Sequence, residues 1–209
     1  MKTQLNLVRE FGWLLLIAIM LLICGKAEAQ VLPEYSAFPT ASIGLQLGTQ
    51  GAGLQGTWSF LPGFDARTGF NTVPGITVQY NDRALELDRM SAYLIADWQP
   101  RYGHDGWWST KWFISTGAAY YFSNSLYRQG IGSTPDYTIY MAKFRPYAGT
   151  GLGNIKLWGN TGLRLDMGWF IPTSPATATY DDKAEKVSTG LRGLLPGLNS
   201  AATIYIKFK

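Results

Sequence analysis

From residue 41 onward large apolar side chains recur at every second position, the period of a strand with one face turned to an apolar environment. Eight stretches carry this alternation, near 41–48, 53–61, 64–72, 90–99, 111–122, 138–150, 156–171 and 201–209. Their apolar sets run Ile43, Leu45, Leu47; Leu54, Trp58, Phe60; Phe64, Phe70; Met90, Leu94, Trp98; Trp112, Ile114, Tyr120, Phe122; Phe144, Ala148; Leu157, Leu163, Leu165, Met167, Trp169; and Ile204, Ile206, Phe208.

The alternate positions hold Asp65, Arg67, Asp97, Lys143, Arg145, Arg164, Asp166 and Lys207, with Gln46, Gln55, Thr57 and Ser115 among them. Such residues suit neither the dry core of a sandwich nor the apolar filling of a soluble barrel. They suit a barrel whose apolar face meets lipid and whose interior takes the charges. The predicted fold is therefore all-β, an eight-stranded antiparallel transmembrane β-barrel. Its interior is only wide enough to be filled by side chains, so the eight charged residues are expected to form an interior polar network. Asp65 with Arg67, and Arg164 with Asp166, stand two residues apart on one face and are placed to neutralise each other.

Loop lengths agree with this reading. The connections 73–89, 123–137 and 172–200 are long, whereas Leu61-Pro62-Gly63 and the Gly151–Ile155 stretch are short, the asymmetry of an outer-membrane barrel. The tight turn Thr49-Gln50-Gly51 and the longer Arg101–Thr110 turn depart from it. Within the last long loop, Asp181–Leu195 has a short helical pattern with Asp181 as N-cap. Trp58, Trp98, Trp107, Trp108, Trp112 and Trp169 fall near strand ends, where an interfacial aromatic girdle needs amphipathic rings.

Ahead of the strands, Lys2 and Arg9 precede an apolar run from Trp13 to Ile23 and then Ala27-Glu28-Ala29. That order predicts a signal peptide over 1–29 and a barrel domain over 30–209. Lipidation of Cys24 is the rival, disfavoured by the bulky Ile23 before it. Without that segment the chain has no cysteine, which removes disulfides and thiolate chemistry. Its balance of 15 basic against 12 acidic residues, after Lys2, Arg9, Lys26, Glu10 and Glu28 leave totals of 18 and 14, is too weakly positive for a nucleic-acid partner.

Candidate chemistry is sparse. His104, the only histidine, lies with Asp105 and Ser109 in one turn, and a lipid A-modifying enzyme would need a serine within hydrogen-bond reach of that base. Nothing in a short turn fixes such a geometry. Asp181, Asp182 and Glu185 lack the glycine-punctuated spacing of a calcium loop. Gly56-Thr57-Trp58 matches a lipocalin start, but the charged facing set opposes a dry ligand cavity. No metal or cofactor is expected.

Four segments occur in a telling order: ADWQP (Ala96–Pro100), STGAAYYFSN (Ser115–Asn124), RPYAGTGLGN (Arg145–Asn154) and RLDMGWFIPTSP (Arg164–Pro175), preceded by the hairpin GLQLGTQGAGLQGTWSF (Gly44–Phe60). Together they resemble small Gram-negative outer-membrane β-barrel proteins related in shape to the outer-membrane protein A and W barrels. The resemblance implies a fold and a location in the outer membrane, but no reaction. One departure is Lys209 after the final aromatic Phe208. The expected protein is non-enzymatic and monomeric, contributing to envelope structure, surface contact or passage of a small apolar solute. Its expected partners are outer-membrane lipid and lipopolysaccharide, and a place as accessory subunit of an envelope complex is compatible with these features.

Overall fold

Alternation of β-branched and aromatic residues with small polar ones favours extended backbone, and ring closure leaves no sheet edge unpaired. The computed structural model of the chain describes residues 36–80, 83–130, 135–179 and 195–208. Ten strands follow: β1 Ala41–Gly48, β2 Gly51–Leu61, β3 Phe64–Tyr80, β4 Arg83–Trp98, β5 Trp112–Arg128, β6 Tyr137–Tyr140, β7 Phe144–Trp158, β8 Thr161–Phe170, β9 Thr177–Ala178 and β10 Leu198–Phe208. Eight of them close a ring in the order β1-β2-β3-β4-β5-β7-β8-β10, every neighbouring pair antiparallel, with β10 returning to β1 in the register Ala41↔Phe208. The short β6 and β9 leave the ring and extend the sheet from the upper part of β5.

The apolar sets face outward. Leu45, Leu47 and Leu94 are each about two-thirds exposed, and Ile43, Leu54, Phe70, Met167, Ile204 and Ile206 join them on the outer wall. The interior instead buries Asp65, Arg67, Asp97, Arg145, Arg164 and Asp166. This inversion is that of a transmembrane barrel.

Both ends of the ring's chain, Ala41 and Phe208, lie at the lower end, with the turn Pro62-Gly63 and the 99–111 connection. Gly63 takes φ +75°, which a tight turn here requires. The upper end carries the β1–β2 turn and the flap of β6 and β9.

Several boundaries differ from the sequence expectation: β5 runs on to Arg128, and the expected strand over 138–150 splits into β6 and β7. Residues 73–89 are mostly not loop, because β3 and β4 run on as a paired hairpin. The Gly151–Ile155 stretch is not a turn; it lies inside β7, where the register shifts between Leu152 and Ile155 and Asn154 takes φ +49°. The turn falls instead at Gly159-Asn160, inside the expected 156–171 strand, with Gly159 at φ +49°. Two polar small residues interrupt the alternation there, and glycine relieves the left-handed backbone. The helical expectation over Asp181–Leu195 lies outside the described residues apart from Leu195, which opens a 3-10 turn, Leu195–Gly197.

Inward tyrosines fit because glycines oppose them. Gly69 on β3 is the cross-strand partner of Tyr93 on β4, and a Cβ at Gly69 would stand 2.3 Å from the Tyr93 hydroxyl oxygen.

Candidate functional site in the barrel interior

The interior is polar in three layers. The charges of the middle layer come from three strands, β3, β4 and β8, on two sides of the ring. Asp65 and Asp97 are direct cross-strand partners on β3 and β4, an arrangement that sets like charges opposite and requires cations between them. Two arginines supply these. Arg67 places Nε 3.2 Å from Asp97 Oδ2 and Nη1 3.1 Å from Asp166 Oδ1. Arg164 donates from Nη2 to Asp97 Oδ2 at 2.7 Å and from Nε to both oxygens of Asp166 at 3.1 Å, with Nη1 3.7 Å from Asp65. Ser115 donates to Asp97 Oδ1 at 2.6 Å and Ser59 to Asp65 Oδ1 at 3.2 Å. The Tyr93 hydroxyl reaches Gln46 and Gln55 at 2.7 and 3.0 Å. The side chains of Asp65, Asp97 and Asp166 are fully buried.

The lower layer is made by the chain ahead of β1. Ser36 to Pro39 folds across the lower mouth, where Ala37 N–H donates to Gln99 Oε1 at 2.7 Å and Asn154 Nδ2 donates to the Ser36 carbonyl at 2.9 Å. The Phe38 ring packs 5.5 Å from that of Phe113, and the Arg164 guanidinium lies 4.1 Å from the Phe113 centroid. Lys207 Nζ donates to Asn154 Oδ1 at 2.5 Å and Lys111 Nζ to its carbonyl at 2.8 Å.

The upper layer hangs from Gln50, whose side chain enters the ring from the β1–β2 turn. Its Oε1 accepts from Arg89 Nη1 at 3.1 Å and from the Tyr121 hydroxyl at 2.9 Å. Arg145 lies beside the same tyrosine.

Of the eight charged residues expected inside, five meet in the middle layer: Asp65, Arg67, Asp97, Arg164 and Asp166. Arg145 is buried but belongs to the upper layer. Lys207 points inward at the lower rim, half-buried and away from the central pairs. Lys143 is exposed, contrary to expectation, because the chain leaves the sheet between β6 and β7 and alternation no longer governs residues 141–143.

Trp58, Trp98, Trp107, Trp108 and Trp112 all lie at the lower end, where Trp98 stacks on Phe64 with centroids 6.4 Å apart and Trp112 Nε1 donates to Thr150. Trp169 sits at the upper end of β8. His104 and Asp105 are exposed, Ser109 is buried, and the His104 backbone N–H donates to the Arg101 carbonyl at 3.2 Å. Asp181, Asp182 and Glu185 lie outside the described residues.

Sequence reading missed Arg89, Tyr93, Tyr121, Gln50 and the Ser36–Pro39 segment. Arg89 and Tyr93 keep the inward parity of Asp97, so extending that strand upward would have found Arg89. Gln50 and Ser36–Pro39 carry no periodic signal.

No family model matches the chain, and no curated protein matches its sequence. Solved structures do. CarO2 of Acinetobacter baumannii matches with TM-score 0.57 at 17% identity over 80% of this chain and 98% of that one. CarO of Acinetobacter baumannii matches with TM-score 0.56 at 20% identity, covering 82% and 98%. The likeness shows the fold, a closed eight-stranded antiparallel β-barrel, and does not single out the A and W barrels.

Proposed function

We propose that the chain is a non-enzymatic, monomeric barrel of a Gram-negative outer membrane, with a lumen closed by its own side chains, that contributes to envelope structure and surface contact. The observation that carries this reading is the inversion of polarity: an exposed apolar wall around a ring whose buried interior holds five mutually paired charges. In water that wall would aggregate, and in lipid it is solvated. On this reading the lower end, with both ends of the barrel chain, faces the periplasm, the upper flap faces outside, and the tryptophans at strand ends mark the interfaces. Lipid and lipopolysaccharide are then its immediate partners.

Fractionation of the envelope, followed by a gel run with and without boiling, tests the location. A heat-dependent mobility shift in the outer-membrane fraction is expected, and recovery as a soluble protein would overturn the reading. Reconstitution into planar bilayers tests closure, with no sustained ion current expected.

Passage of a small apolar solute is the second reading. Here it would follow the outer wall, where Trp108, Trp112, Leu152, Leu165 and Met167 line a groove of about 480 Å³, because the lumen is filled by ion pairs.

A further inference from the structure

Two arginines of the upper layer have no acid to answer them among the described residues. Arg89 on β4 and Arg145 on β7 are 3% and 2% exposed, and among the described residues neither forms an ion pair. Their strands flank β5, whose Tyr121 lies between them, with the two guanidinium carbons 5.7 and 5.4 Å from its ring centroid. Arg89 is held by neutral acceptors, Asn124 Oδ1 at 3.2 Å and Gln50 Oε1 at 3.1 Å. Arg145 donates from Nε to the Ala142 carbonyl at 3.2 Å, and its buried Nη1 has no hydrogen-bond partner among the described residues.

The middle layer answers its two arginines with three aspartates. Among the described residues the upper layer sets two buried cations together with none. Contact with a tyrosine face and neutral carbonyls offsets less than burial of a guanidinium costs, and each cation repels the other. A planar fork with a free donor is shaped for an oxyanion that accepts two parallel hydrogen bonds.

We propose that Arg89 and Arg145, bracketing Tyr121, form an oxyanion-binding site in the upper half of the barrel that takes the carboxylate or phosphate group of a small solute. Arg145 Nη1 supplies the unused donor, Arg89 the second charge, and the Tyr121 ring the apolar platform between them. The interior position excludes a lipid headgroup, which meets only the outer wall. The site goes beyond a structural barrel, since it gives the closed lumen a ligand.

The test is thermal unfolding of the purified, detergent-folded full-length barrel in inorganic phosphate or acetate, against chloride at matched ionic strength. The midpoint is expected to climb with one of the two oxyanions and not with chloride, and which one acts assigns the class. In Arg145→Gln the concentration needed for the same climb rises roughly tenfold or more, as expected for losing a charged hydrogen-bond donor. Arg145→Lys, which keeps the charge without the fork, falls between. A wild-type midpoint that is identical in all three salts overturns the proposal without any variant, and so does an undiminished response in folded Arg145→Gln.

Discussion

Arg67 on β3 and Asp166 on β8 stand on strands four places apart in either direction round the ring, and their side chains meet at 3.1 Å across the lumen. With Arg164 returning from β8 to Asp97 on β4 at 2.7 Å, opposite walls are tied by two crossing ion pairs. A tie of this kind holds the two walls at a fixed separation at that level.

Removing Arg67 leaves three buried aspartates to share Arg164, and breaking a buried pair costs about 3–5 kcal/mol. Arg67→Ala is therefore expected to lower the temperature at which the folded band disappears on an unboiled gel. Asp166→Leu combined with Arg67→Met should recover much of the loss, because replacing a whole buried pair by apolar side chains is tolerated. Equal stability of Arg67→Ala and the parent barrel would mean that the tie contributes nothing.

Gly69 gives a second, purely steric prediction. A methyl group there would stand 2.3 Å from the Tyr93 hydroxyl and 2.7 Å from the Leu54 carbonyl, and the second of these is backbone. Gly69→Ala should thus displace Tyr93 from Gln46 and Gln55 and cost roughly 1–3 kcal/mol, the usual range for overpacking. The paired variant Gly69→Ala with Tyr93→Phe keeps the ring and restores little, whereas Tyr93→Ala in its place removes the ring contacts and leaves only the one to the Leu54 carbonyl. Thermal midpoints of the three proteins distinguish these outcomes.

The outward apolar sets and most of the central charges were legible in the sequence because the membrane enforces one rule along each strand: lipid outside, polar filling inside. The rule stops where the bilayer stops. Above Met90 the pattern inverts. Leu87 shares the inward face of Arg89 and packs with Leu126 on a cluster of Tyr137, Ile139 and Met141, while Asp88 on the opposite face is exposed. There the flap builds a small apolar core, and the simple alternation ends although β4 continues to Arg83. Lys143 failed for the related reason that it stands off the sheet. The Gly159-Asn160 turn was hidden because Leu157 and Leu163 keep the strand's spacing across it. The lower closure by Ser36–Pro39 was invisible, since Phe38 is a single ring in an aperiodic segment.

That closure is testable. Phe38 is 1% exposed against Phe113, and truncating a fully buried phenylalanine costs about 3–5 kcal/mol where the surroundings cannot collapse. Phe38→Ala should loosen the segment, seen as faster hydrogen exchange at Ala37 N–H, whose acceptor is Gln99. The barrel should stay closed to ions, because the Arg67 and Arg164 layer remains above it. A steady current in planar bilayers from Phe38→Ala alone would show that the lower segment, and not the ion-pair layer, is the barrier.

The flap at the upper end carries a pH dependence of its own. Asp136, exposed above the ring, accepts from the Tyr127 hydroxyl at 2.6 Å and from the Gly130 N–H at 2.9 Å, and these bonds hold its carboxyl below the ordinary aspartate range. The same hydrogen bond raises the Tyr127 phenol, which stays protonated as the donor. A carboxyl with a lowered folded-state value stabilises the structure above its unfolded value and loses that contribution as pH falls through the folded one. The connection between β5 and β6 is therefore expected to become more sensitive to an acid-tolerant protease on the acidic side of the usual carboxylate range, while the ring itself remains resistant. Asp136→Asn, which cannot titrate, should show the same sensitivity at every pH, and a parent protein whose cleavage rate in this connection does not change on acidification would remove Asp136 as the latch.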